Sequence, residues 1–314
     1  MLNRRHIRIK VMQTLFALGQ NEISEGNTDQ KFLLNSMSNM YDLYLLMMSL
    51  FIELHKKSED YYKKLQNRIL VDSNEPEPSR VIINNQVLLK ISTNKLLIET
   101  IAKQKINYWD LDFEYVDKIF KQILKSKIYR KYAESNNHDF ESDRQFVADI
   151  FRDIIAPNEK LYDYLEDKKL TWIDDLPIIN TNLLKMLKQI KPESNDTYFL
   201  PDLYKDEDDK QFAIQLYQKT LLYKDELNLE IKGKTTNWDS ERLAAVDATL
   251  LTMAICEFKH FPSIPVKVTI NEYLEIAKEY STPKSSTFIN GILDNLVKQY
   301  QNSNSLNKTG RGLK

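Results

Sequence analysis

Across residues 3–18 the apolar positions Ile7, Val11, Leu15 and Leu18 recur at the 3.6-residue period of a helix, and Arg4, Arg5, Arg8 and most polar residues fall between them. This predicts an amphipathic helix with a basic flank. A second periodic run predicts a long helix over about 29–70, stopped by Glu75-Pro76-Glu77-Pro78-Ser79, where two prolines break it and a serine offers the next N-cap. Further helices are expected over 80–102, 113–133 and 143–155. After Pro192 and Pro201, the acidic run at 202–209 reads as a connection into a new helix, since carboxylates favour a helix N-terminus. The last third predicts three helices, separated by a Pro262/Pro265 turn and a start at Thr282-Pro283. Gly291 sits inside the last of them at a cost of about 1 kcal/mol relative to alanine, which points to close packing or a contact surface.

Two stretches share a pattern at an offset of 66 residues. Asp143-Arg144-Gln145-Phe146 matches Asp209-Lys210-Gln211-Phe212, Ile150 and Phe151 match Leu216 and Tyr217, Leu161 matches Leu227, and Trp172 matches Trp238. One residue of slippage later, Leu183-Leu184-Lys185-Met186 aligns with Leu250-Leu251-Thr252-Met253. Residues 143–190 are therefore read as a possible degenerate repeat of the segment on their C-terminal side.

Composition narrows the class. The 314 residues are 42% hydrophobic and 28% charged, which describes a globular chain large enough for a real core. There are six glycines and none between 27 and 232, so glycine-rich phosphate loops and tight hairpins have little material, and an all-α fold is expected. The single Cys256 excludes an internal disulfide and a cysteine-rich metal site, and fits a reducing, cytoplasmic setting. The four histidines are scattered, so neither a metal nor a cofactor is expected. The most apolar stretch, 41–54, is broken by Asp42 and Glu53 and is too short to span a membrane. Net charge is -1, yet residues 1–20 carry Arg4, Arg5, Arg8 and Lys10 with no acid, and the last twenty hold Lys298, Lys308, Arg311 and Lys314 with none.

Several segments carry a family resemblance. Trp238-Asp239-Ser240-Glu241-Arg242-Leu243 leads into a helix through Asp247, Leu250, Leu251 and Glu257; Pro265-Val266-Lys267-Val268-Thr269-Ile270-Asn271-Glu272, Ala277-Lys278 and Phe288-Ile289-Asn290-Gly291-Ile292-Leu293-Asp294 come next in order. With Arg4-Arg5-His6-Ile7-Arg8 and Gln13-Thr14-Leu15-Phe16 at the start, the set resembles the transcription antitermination factor NusB family over about 3–20 and 206–300. Two departures stand at Thr252, where the family usually has arginine, and Cys256, where it has tyrosine.

The resemblance implies NusB-like helical bundles in two subdomains, enlarged by an inserted helical block: a basic first helix (1–20), the inserted block (21–205), a C-terminal bundle (206–300) and a disordered basic tail (301–314). It implies a non-catalytic RNA-binding protein acting with the ribosomal protein NusE in the RNA polymerase antitermination complex, on a single-stranded leader element of ribosomal RNA transcripts, with neither membrane nor small-molecule substrate. Arg4, Arg5 and Arg8 are suited to phosphate and base edges; Phe16 and Phe288 are candidates for base stacking, Asn290 for a base edge and Lys284 for phosphate. Asp247 and Glu257 fall at acidic family positions near the NusE-binding surface. A protein-binding adaptor on a NusB-like scaffold is the alternative, with the middle block as recognition surface. An RNA-modifying enzyme would need a glycine-rich cofactor loop that this sequence lacks.

Overall fold

The computed structural model describes residues 1–19, 26–66, 80–234 and 244–313, with the backbone alone at 26–29 and 311. Pro76, Pro78, Ser79 and Trp238 lie outside the described residues, as does the segment from Asp239 to Leu243. Among the described residues the structure is helical without a strand, so the expected all-α class holds. In chain order the helices are α1 (Arg4–Gly19), α2 (Gly26–Gln66), α3 (Gln86–Ser92), α4 (Lys95–Lys103), α5 (Tyr108–Leu111), α6 (Phe113–Lys125), α7 (Lys127–Ala133), α8 (Phe140–Ile150), α9 (Glu159–Lys168), α10 (Trp172–Gln189), α11 (Glu207–Leu222), α12 (Lys224–Lys232), α13 (Ala245–His260), α14 (Val266–Tyr280) and α15 (Ser285–Asn302). They form two compact units, one of Met1–Met37 with Leu203–Lys314 and one of Ser38–Asp202.

In the second unit α2 is the central element. Every residue from Leu43 to Ile52 is buried, which is why its apolar stretch shows no polar face. No described helix is long and apolar enough to cross a membrane. The single helix expected over 80–102 is instead α3 and α4. The Asn85 side chain accepts from Val87 and Leu88 N–H and starts α3, and Asn94 accepts from Leu97 N–H and starts α4. Caps of this kind are each worth about 1 kcal/mol. The expected helix over 113–133 is likewise divided at Ser126, whose hydroxyl accepts from Tyr129 N–H. Buried Asp143 ties this unit together, accepting from Gln86 N–H at 2.7 Å and from the Tyr132 hydroxyl at 2.6 Å.

In the first unit α13 takes the central place, buried at every position from Leu250 to Phe258. Helices α1, α11, α12, α14 and α15 pack around it. Each fully buried leucine, isoleucine or phenylalanine there contributes about 1.5–3 kcal/mol of transfer free energy. The acidic run does lead into a helix: Asp206 caps α11 by accepting from Asp209 N–H at 3.0 Å. The order of packing recurs between units. In one, α8 packs on α3 and α10 while α9 packs on α10; in the other, α11 packs on α1 and α13 while α12 packs on α13.

The chain end differs from the disordered tail expected over 301–314. Thr309 N–H donates to Pro262 carbonyl at 3.0 Å, and the Lys308 ammonium donates to Phe261 carbonyl at 3.0 Å, fastening the segment to the end of α13. Gly312 approaches so closely that a Cβ there would lie 1.9 Å from the Pro262 oxygen. Gly291 is the opposite case: it is exposed and a Cβ would meet nothing within 4 Å among the described residues, so close packing against them does not account for it. Gly291→Ala should therefore raise the free energy of unfolding in urea by about 0.5–1 kcal/mol. A loss of stability would show that the helix needs glycine at this position.

Candidate nucleic-acid interface

The first turn of α1 carries no acid, and Asn3 sets its start by accepting from His6 N–H at 3.0 Å. From this turn the three arginines reach three different acids. Arg4 donates through Nε to Asp209 at 2.8 Å, in the first turn of α11. Arg5 grips Glu272 of α14 with two bonds, Nε to Oε2 at 2.8 Å and Nη2 to Oε1 at 3.0 Å. Arg8 grips Glu257 of α13 in the same way, at 2.9 and 2.7 Å.

Their surroundings separate them. The Arg4 and Arg5 side chains are 42% and 36% exposed, whereas those of Arg8 and Glu257 are 2% and 0% exposed. Arg8 lies over the rings of Phe212 and Tyr273, and Arg4 also faces Phe212, as residues four apart on one helix must. Glu257 takes two further hydrogen bonds, from Thr269 Oγ1 at 2.6 Å and from the Tyr273 hydroxyl at 3.3 Å. Burial opposes the charge on Arg8, but the adjoining Glu257 carboxylate outweighs it and raises its pKa. The Arg5 bonds hold the Glu272 carboxyl below the usual carboxylate range, so it is ionised at neutral pH. Burial, followed by the neighbouring Arg5 charge, pushes the His6 imidazole down to about 4, so it adds no charge there.

Arg4, Arg5 and Arg8 line one open groove of about 730 Å³ together with Asn3, Glu272, Val268 and the Ser263-Ile264-Pro265 turn. The other expected residues lie elsewhere in the unit. Phe16 is about 18 Å farther along α1. It is half-buried and lines a smaller cavity of about 200 Å³ with Lys224, Asn228, Thr249 and Thr252. Lys284 is exposed just before α15, Phe288 is half-buried, and the half-buried Asn290 donates to Asp294 at 3.1 Å. Asp247, 5% exposed, accepts from Ser281 at 2.5 Å and from Ser285 at 2.7 Å, so it fastens the α14–α15 connection to the start of α13. The groove thus belongs to the Glu257 end of α13. The Phe16 cavity and the turn before α15 belong to the Asp247 end, about 15 Å away along the helix.

Three sequence-based expectations are corrected. Arg8, expected on an exposed basic flank, is interior; Glu257, expected near a partner surface, is its interior partner; and Asp247, expected near the same surface, is interior and bonded to Ser281 and Ser285. The departures from the family pattern are interior as well: Thr252 is 6% exposed and donates to Ala248 carbonyl, and Cys256 is fully buried, with burial pushing its thiol up to about 12. Glu272 lines the groove, and Asp209 and Phe212 hold its arginines, without any of the three having been singled out for this role from the sequence. Glu272 stands inside the Ile270-Asn271-Glu272 motif, but nothing local pairs residue 272 with residue 5.

The model of the NusB family matches residues 181–298. A transcription antitermination protein NusB from Salinibacter ruber is 42% identical over 111 residues, 35% of this chain and 69% of that protein. Proteins of the same name from Chloroherpeton thalassium and Dictyoglomus thermophilum are 36% identical over 129 residues and 41% identical over 95. Those matches cover 41% and 30% of this chain, and 57% and 66% of the relatives. No solved structure matches the chain.

Removing one member of a buried ion pair strands the other charge in the interior, which costs about 3–5 kcal/mol. Arg8→Met should lower stability by that amount in urea denaturation. Adding Glu257→Gln, which keeps one acceptor oxygen for Thr269 but carries no charge, should recover at least half the loss. If the second substitution only deepens the loss, the stranded charge is not its cause.

Proposed function

Because the chain belongs to the NusB family, we propose that it is a non-catalytic, cytoplasmic transcription antitermination factor that binds a single-stranded leader element of ribosomal RNA transcripts together with NusE. The observation that carries this reading is the arginine-lined groove at the start of α1. Among the described residues Arg4 donates through Nε alone and Arg5 leaves Nη1 without a hydrogen bond, so planar, permanently charged donors face an open cleft. Arg8 contributes from beneath by fixing α1. Lys284, Phe288 and Asn290, with Phe16, are proposed as a second contact region at the far end of α13, where a longer strand supplies phosphates and bases. Asp247 and Glu257 keep α13 in place for the NusE-facing surface rather than touching the partner, since both are interior.

A protein-binding adaptor remains the second reading, favoured by one observation. The unit Ser38–Asp202 has its own core and lies mostly ahead of the region matching the family, 181–298.

Fluorescence anisotropy with a single-stranded leader RNA tests the first reading. Arg4→Ala with Arg5→Ala, which leaves the interior pair intact, should weaken binding at least tenfold. It should also flatten the slope of log affinity against log salt by about 1.4, the loss of two phosphate contacts to a single strand. Unchanged affinity and slope would remove the RNA assignment from α1. Cooperative tightening on adding NusE supports antitermination; NusE binding with no effect on RNA favours the adaptor.

A further inference from the structure

Three acids meet the arginines of α1, and they are held in different ways. Glu257 is enclosed and also accepts from Thr269 and Tyr273, so it is part of the core. Asp209 is nearly buried, and among the described residues its carboxylate takes only the Nε of Arg4. Glu272 stands on the wall of the groove, its side chain 22% exposed, and its bonding partners among the described residues are arginines alone: two bonds from Arg5 and a 3.9 Å approach to Arg8 Nη1. No hydroxyl or backbone N–H among the described residues anchors its carboxylate.

The edge of Arg5 that Glu272 occupies is the Nε–Nη2 fork, the pair of parallel donors best matched to two oxygens of a phosphate. A carboxylate and a phosphate cannot use that fork together. We propose that Glu272 is an internal competitor for phosphate, a specificity-determining residue that keeps the Arg5 fork closed until a polyanion making further contacts in the groove displaces it. The pair is bidentate and only partly exposed, so opening it costs energy that further contacts in the groove must offset. A ligand offering an isolated phosphate gains only what it displaces. A strand that also engages Arg4 and the Ser263–Pro265 rim gains more, and Glu272 therefore suppresses indiscriminate binding of anions more than binding of a matched RNA.

The inference rests on the RNA reading above, and its test separates the two. Binding of a fluorescein-labelled 12-nucleotide oligouridylate to the full chain is compared for wild type, Glu272→Gln, Glu275→Gln, Arg5→Ala and the Glu272→Gln/Arg5→Ala double variant. Glu275 is the control: it lies one turn further along α14, pairs with Lys278 at 2.6 Å, and its loss changes net charge by the same amount. Glu272→Gln should tighten binding at least fivefold and Glu275→Gln less than twofold, and the gain should vanish when Arg5 is alanine. Equal gains from both glutamates, or a gain that persists without Arg5, would overturn the competitor role in favour of a general charge effect. If wild type binds and Arg5→Ala binds equally well, the RNA reading of this groove falls, and the inference with it.

Discussion

The ion pair between Arg8 and Glu257 is the constraint around which the first unit is arranged. Two charges with almost no solvent contact are tolerated because the geometry leaves little unsatisfied. The guanidinium gives two bonds to the carboxylate and lies over two aromatic rings, and the carboxylate takes two more bonds from α14. The pair thereby joins α1, α13 and α14 at one point and leaves a sliding register no low-energy alternative. With α1 fixed in rotation, Arg4 falls on the face of Arg8 one turn earlier and Arg5 on the neighbouring edge. The open groove is the consequence of a closed pair beneath it.

How much of the molecule was legible in its sequence depends on which forces are local. Glycine scarcity and helical periodicity are local, and they indicated an all-α chain and the last three helices. Caps are local too, and the breaks at Asn85, Asn94 and Ser126 carried residue types suited to capping, though the apolar periodicity running through them suggested continuous helices. Arg8 had no such signal. A charged residue in a basic helix suggests the surface, and its burial depends on an acid 249 positions away. For Glu257 a clue did exist: α13 is apolar on every side from Leu250 to Phe258, and a helix without a polar face has no exposed place for an acid.

The two units share a way of building, each with one central helix whose buried middle shows no polar face. The recurring order of packing around α8–α10 and α11–α13 is compatible with the internal repeat proposed from the sequence, with Asp143 and Asp209 at matching points near a helix start. Their partners differ. Asp143 holds a backbone N–H and a tyrosine within the core, whereas Asp209 holds Arg4, which lines the groove. On the proposed reading, one copy keeps the arginine-bearing helix and the other retains only the scaffold.

In the proposed function the interior pair presents Arg4 and Arg5 to a single-stranded RNA at the groove between the start of α1 and the start of α14. Hydrogen exchange of the full chain, followed by mass spectrometry with and without a saturating single-stranded leader RNA, locates the contact directly. Slowed exchange should be concentrated in residues 3–9 and 263–273. Protection confined to residues 38–202, with none in those two segments, would contradict it.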